Sequence, residues 1–276
     1  MKKNAKELLI SKEVNDFYTR SSEEDRLTMG LGPLEFERNR LLIGRFLPKG
    51  SGVIADIGGG TGKYSEWLAG LGHDVWLVDP VKKHILQAQK RSDRAARKFH
   101  VVHGEGRSLD FPDNFADMVI VHGPLYHLPE KSDRVKAISE AKRIAKTGGV
   151  ILGFAISYTA STIVGLLQGM IHQDSIFDMC RSELLTGEHT APPDLPGILT
   201  GAYFHRPEEL RSEFAETGLK NIEMFAVEGI IWLDKNFFSA RADKIKNEHL
   251  RELSAITEKD PDLLSFSPHF MISGTK

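Results

Sequence analysis

The sequence predicts an α/β protein built on a doubly wound, Rossmann-like parallel sheet. Three observations predict it. Val53–Ile57, apolar except for Asp56, reads as a buried strand and runs straight into the glycine-rich turn Gly58-Gly59-Gly60-Thr61-Gly62. A second run, Val75–Val78, ends in the carboxylate Asp79. Between and beyond them, strand-like and helix-like stretches alternate, the pattern of a parallel sheet with crossover helices. In open α/β sheets the ligand crevice lies outside the carboxyl ends of the strands, so the glycine turn and Asp79 fall on one functional edge.

The turn has a physical purpose. Glycine adopts φ > 0 and lets backbone approach a ligand closely, and the amides opening the next helix are free donors. The spacing departs from the dinucleotide fingerprint G-x-G-x-x-G, because Lys63 stands where the third glycine belongs.

Taken in order, residues 1–48 predict a helical cap. Leu8, Leu9, Val14, Phe17 and Tyr18 give a loosely helical pattern over 4–20. A second helix is expected after Gly32, with Pro33 at its first position, an apolar side of Leu34, Leu41, Leu42 and Phe46, and Pro48 closing it. Core residues 49–157 predict strands near 53–57, 74–78, 99–103, 117–122 and 149–156, and helices near 62–70, 81–97 and 132–146. In the last helix Val135, Ile138, Ala141, Ile144 and Ala145 recur at helical spacing, and Gly148-Gly149 is expected to cap it. Residues 158–205 break the alternation and read as a helical insertion, rich in apolar residues from Ile163 to Met179, followed by a loop with Pro192, Pro193 and Pro196. Residues 206–276 return to the core: a helix from Pro207 to Gly218, a strand near 221–228, a long polar helical stretch over 235–258 and a final strand at Phe270-Met271-Ile272.

Composition bounds the function. The chain has 276 residues, 41% of them hydrophobic and 27% charged, ordinary for a globular protein. Its net charge of −2 gives no bulk basic field for nucleic acid. The single cysteine, Cys180, excludes an intramolecular disulfide and a cysteine-rich zinc site. No apolar signal core follows the amino terminus, and the run Val150–Ile156 is far short of the ~20 residues of a membrane span. A cytoplasmic protein with no membrane partner is the expectation. Whether it forms a homo-oligomer is not legible.

Asp56-Ile57-Gly58-Gly59-Gly60-Thr61-Gly62 resembles the signature loop of class I S-adenosylmethionine-dependent methyltransferases. The resemblance continues through Asp79 and Gly104-Glu105-Gly106-Arg107-Ser108-Leu109-Asp110-Phe111-Pro112-Asp113-Asn114-Phe115-Ala116-Asp117. It then runs through Val119–Val121, His122-Gly123-Pro124-Leu125-Tyr126-His127-Leu128 and Thr147-Gly148-Gly149-Val150, in the family's order. It implies a seven-stranded sheet with an antiparallel last strand and S-adenosyl-L-methionine as cofactor; the helical cap and the insertion would enclose a partly apolar pocket, which suits a small-molecule acceptor better than RNA or a protein surface.

The resemblance also implies site residues. Asp79, followed by Pro80, would accept the ribose hydroxyls; the alternative is a plain helix cap. Glu105 stands where the family has an acidic residue near the adenine amino group, here Glu for the usual Asp; the alternative is a turn residue. Gly104 and Gly106 would flank the adenine. Asp56 would organise the loop of Gly58, Gly59 and Gly60 or meet the methionine amine. Tyr64 would wall the crevice or sit half-exposed on its helix. His122 and Gly123 would face the sulfonium, and Tyr18, with Arg20 beside it, would be a lid contact. His127, with Tyr126 adjacent, is a candidate general base, since imidazole titrates near neutrality; the alternative is that both pack the next helix. Tyr203, His205 and Trp232 are candidate substrate contacts or core residues, Glu228 a candidate for an acceptor's cation, and His189 has no evident partner. The segment after the fourth strand lacks the Asn/Asp-Pro-Pro-aromatic motif of nucleobase and amide enzymes. The acidic run of a magnesium-dependent catechol enzyme is also missing, so no metal is expected. The rival readings are a nicotinamide-dependent oxidoreductase, disfavoured by Lys63, and a non-catalytic cofactor-binding scaffold.

Overall fold

A computed structural model describes residues 9–193, 195, 198–199 and 201–276. Leu8 and Pro196, both used in the sequence reading, lie outside the described residues.

Seven strands form one sheet: β1 (Val53–Ile57), β2 (Asp74–Asp79), β3 (His100–His103), β4 (Ala116–Val121), β5 (Ala145–Ile156), β6 (Lys220–Ala226) and β7 (His269–Thr275). Their order across the sheet is β3-β2-β1-β4-β5-β7-β6. Neighbours among β1–β5 pair parallel, while β7 is antiparallel to both β5 and β6. One apolar cluster fills each face. Ile57, Val119, Val121, Ile138, Ile144 and Phe214 belong to one; Ile54, Leu68, Leu77, Met118, Ile120 and Phe225 belong to the other. Strands buried on both faces are nearly all apolar for this reason.

Register sets the functional edge. Ile57 pairs with Val78 on one side and Val121 on the other, and Asp79 pairs with His103. Gly58, Asp79 and His122 therefore leave the sheet at one level, with Gly104 one residue beyond it.

The first helices are α1 (Lys12–Arg20), capped by the Ser11 side chain, the single turn α2 (Glu23–Arg26), and α3 (Gly32–Gly44), which has Pro33 in its first turn. In α3 Leu41 is exposed rather than core-facing, and Ile43 is buried beside Leu42. Helices α4 (Lys63–Gly70), α5 (Lys82–Arg94), the one-turn α6 (Pro124–His127) and α7 (Lys131–Ile144) connect the strands.

Two sequence expectations are corrected here. Gly148-Gly149 does not cap α7. The helix ends at Ile144, Ala145 is already extended and paired with Ala116, and the glycines occupy an irregular stretch at the start of β5 where the register shifts. The polar stretch 235–258 is two helices, α11 (Phe237–Ala242) and α12 (Lys244–Thr257), because Asp243 turns extended and its carboxylate accepts the N–H groups of Ile245 and Lys246.

The insertion holds α8 (Ala160–Leu167), a 3-10 turn at Met170–His172, α9 (Asp174–Thr186) and a two-residue ribbon of Glu188–His189 with Ala202–Tyr203. Helix α10 (Pro207–Glu216) docks on α7 through a buried ion pair. Arg134 donates to Glu213 at 2.7 Å and to the carbonyl of Leu128, and stacks 3.8 Å over the Tyr203 ring.

Candidate active site

A crevice opens along the carboxyl edge of β3, β2, β1 and β4, with about 960 Å³ of empty space, solvent-open volume included. The glycine turn forms its floor. Gly58 has φ +78°, and a Cβ there would stand 2.8 Å from the Gly123 amide nitrogen, so only glycine lets β1 and β4 release their chains side by side. Gly59 is confined from behind: a Cβ would lie 2.7 Å from a carboxylate oxygen of Asp56. Gly60 faces the opening, with nothing within 4 Å of where a Cβ would stand.

Asp79 anchors this turn. Its Oδ2 accepts the Gly60 N–H at 3.0 Å; its Oδ1 accepts the Val81 N–H at 2.8 Å and lies 3.1 Å from Nδ1 of His84. The carboxylate closes the turn into α5, yet Val81, not Asp79, is the residue preceding the helix. Asp79 and Pro80 line the crevice, as do Gly104, Glu105 and Gly106. Oε2 of Glu105 accepts from the backbone and side chain of Arg107, both at 3.0 Å.

Asp56 sits elsewhere. It is fully buried under the turn, takes the Ser65 hydroxyl at 2.6 Å, and does not line the crevice. Burial, with the Asp79 charge adding to it, pushes its carboxyl up to about 6 against the Ser65 bond. Its geometry is that of a residue bracing the loop.

The wall beyond β4 is aromatic. His122 is stacked between Tyr64, 4.5 Å away, and Phe154, 4.1 Å away. Neither of its ring nitrogens has a partner, and burial pulls its pKa down to about 3 against the opposing Glu35 charge. Tyr64 accepts from Asn39 and lines the crevice.

The cap reaches across. The Tyr18 hydroxyl lies 2.7 Å from Nε2 of His127, and its ring packs against His84. Burial raises the phenol pKa of both Tyr18 and Tyr126 and lowers His127 to about 4. The hydroxyl of Tyr18 thus keeps its proton and shares one hydrogen bond with the neutral imidazole through Nε2, leaving Nδ1 of His127 outside that bond. That atom is buried without a partner, as is Nε2 of His84. Arg20 is exposed and does not line the crevice.

Other sequence candidates are part of the framework. Tyr203 donates to Glu209, His205 lies 3.4 Å from Glu213, and Trp232 donates to the Phe266 carbonyl. His189 has its partners in Glu183 and the Leu199 carbonyl. Glu228 is buried, accepting from Ser267 and from both the backbone and Nδ1 of His269. Donor atoms of Glu35, Glu228 and His269 all lie within 4.8 Å of one another. Each carboxylate already has a cationic partner, since Arg26 holds Glu35 bidentately. Burial alone would lower His269; Glu228 and then Glu35 raise it to about 8.

Among the ionisable residues of the crevice, sequence reasoning missed four: Glu23, Arg26, Lys63 and His84. His84 had a local signal, five residues after Asp79. Glu23 and Arg26 had none, because only the long-range docking of α2 brings them in.

Comparison with known proteins gives the class. Residues 55–153 match the family model described as a methyltransferase domain. The ubiquinone/menaquinone biosynthesis C-methyltransferase UbiE of Neisseria meningitidis serogroup C is 32% identical over 109 residues, 38% of this chain and 43% of that protein. The 2-methyl-6-phytyl-1,4-hydroquinone methyltransferase of Spinacia oleracea is 26% identical over 132 residues, 46% of this chain and 33% of that protein. The chain thus spans less than half the length of these curated relatives. A solved S-adenosylmethionine-dependent methyltransferase from Methanosarcina mazei superposes with a TM-score of 0.58 at 18% identity, covering 85% of this chain and 96% of that one, and shares the fold. Residues 55–153 thus match a methyltransferase domain, and the chain has the fold of the class I S-adenosylmethionine-dependent methyltransferases.

S-adenosylmethionine is the cofactor of this class, and the crevice fits it. The open backbone at Gly60, the carboxylates of Asp79 and Glu105, and the partnerless nitrogens of His84 and His127 give a polar ligand the donors and acceptors it needs. Among the described residues no helix is long and apolar enough to cross a membrane.

Proposed function

We propose that the chain transfers a methyl group from S-adenosylmethionine to a small, largely apolar acceptor that carries a protic group. The observation that carries this reading is the single crevice in which the glycine turn, Asp79 and Glu105 share a wall with the Tyr18–His127 pair. Asp79 would hold the ribose, Glu105 and the Gly104 and Gly106 backbone the adenine, and the Gly58–Gly60 turn the remainder.

The cofactor supplies an already activated methyl group, so alignment of the acceptor is the protein's main task, and proximity can supply ~7–11 kcal/mol. Tyr18, Tyr126 and Leu128 provide an apolar, aromatic surface that orients a flat acceptor. Neutral His127, held by Tyr18 through Nε2, keeps Nδ1 as a spare hydrogen-bonding group for the acceptor. Relayed through Tyr18, its Nε2 takes up a proton where the acceptor must lose one. The helical cap excludes water by lying over this end, and the insertion over 158–205 is proposed to shape acceptor choice.

The named activities of the two relatives, on a quinone pathway and on a hydroquinone, support testing aromatic diols first. Purified protein is given methyl-labelled S-adenosylmethionine with 1,4-hydroquinones, catechols and simple amines. Label moving to an aromatic diol supports the reading. Label staying on the cofactor throughout the panel, while S-adenosylhomocysteine binds, favours the scaffold reading.

A further inference from the structure

We propose that Arg26 and Glu23 recognise the zwitterionic α-amino-acid end of the cofactor, the guanidinium taking its carboxylate and Glu23 its ammonium. This rests on the cofactor reading above. The crevice follows the strand order β3, β2, β1, β4. Glu105, after β3, and Asp79, ending β2, take the adenosine half, so the rest of the ligand continues over the glycine turn toward His122. Besides those two carboxylates, the lining side chains with a fixed charge are Glu23, Arg26 and Lys63. Arg26 holds Glu35, whose carboxylate lies within 4.8 Å of ligand atoms of Glu228 and His269 at the start of β7, so it stands on the β4–β5–β7 side of the glycine turn, away from β2 and β3.

The local geometry suits a doubly charged ligand. Glu35 binds both terminal nitrogens of Arg26, at 2.6 and 3.1 Å, and Glu23 binds its Nε at 2.7 Å. The guanidinium is therefore fixed in orientation. Of the five N–H donors of a guanidinium, these three bonds leave one on each terminal nitrogen, and one of these is enough for a single charge-assisted bond to a carboxylate oxygen. Oε2 of Glu23 has no partner among the described residues, and the side chain remains 20% exposed. Two carboxylates around one guanidinium leave the group net negative. A bare carboxylate would meet repulsion there; a zwitterion meets a partner for each charge.

Calorimetry with two ligands tests this. S-adenosylhomocysteine carries the amino-acid end, and 5′-methylthioadenosine has the same thioether and nucleoside without it. Glu23→Gln, and the paired change Arg26→Gln with Glu35→Gln, which leaves no lone buried charge, should each weaken S-adenosylhomocysteine by about 10- to 100-fold, as for charge-assisted hydrogen bonds. Binding of 5′-methylthioadenosine should not change. If the paired variant fails to fold, Glu23→Gln decides alone. Equal losses for both ligands, or unchanged S-adenosylhomocysteine affinity in folded Glu23→Gln, overturn the assignment. A wild-type protein that binds neither ligand removes the cofactor reading itself.

Discussion

Asp79 shows how one side chain serves both turn and ligand. Each carboxylate oxygen has two lone pairs. Oδ2 uses one on Gly60, and Oδ1 is shared between Val81 and His84. The sequence alternatives of helix cap and ribose ligand are therefore compatible, because the turn bond to Val81 points back into the chain while the residue still lines the crevice. Asp79→Ala should weaken S-adenosylhomocysteine at least about tenfold, or ~1.4 kcal/mol, with the fold intact by near-UV circular dichroism. Unchanged affinity in the folded variant would refute the ribose contact. Asp79 and Glu105 were legible because one ends a strand and the other lies two residues past one. Arg26 and Glu35 were not. Their pairing depends on where α2 and α3 dock, and nothing in local spacing announces it.

At the scale of elements, the cap is fastened to α5 by two cations. Lys83 donates to the carbonyls of Tyr18, Thr19 and Ser21, at 3.3, 3.0 and 2.7 Å, satisfying orphan groups where α1 ends. A cation there also suits the helix dipole. Arg91 pairs with Glu24 of α2 and Glu66 of α4, and donates to the Thr61 carbonyl in the glycine turn. The same helix thus grips both cap and turn. Lys83→Met should speed amide hydrogen exchange over Lys12–Ser21 and shorten the residence time of S-adenosylhomocysteine several-fold, each lost bond contributing about 1 kcal/mol. Exchange matching the wild type would show that Lys83 does not hold the cap. Sequence gave the helices of the core their positions through apolar spacing. It did not give the fastening, which joins residues 62–65 positions apart. Nor did it give the break at Asp243, where a capping carboxylate overrides a continuous polar helical pattern.

For the whole molecule, the doubly wound parallel sheet was readable because strand-helix alternation implies parallel strands joined by crossover helices, while the strand order came only with the structure. The antiparallel β7 came from the family resemblance alone; Phe270-Met271-Ile272 carries no sign of its direction. What the sheet achieves is register. Three strands end level, so that Gly58, Asp79 and His122 enter one crevice from β1, β2 and β4. The cap completes that crevice from above, through a Tyr18–His127 contact spanning 109 residues. Sequence could nominate both partners but not their meeting.

The central claim is that this crevice holds S-adenosylmethionine. Calorimetric titration of the purified protein with S-adenosylhomocysteine, with NADH as the control, tests it most directly. The account predicts saturable micromolar binding of S-adenosylhomocysteine and none of NADH. Binding of NADH alone, or of neither ligand, would contradict it.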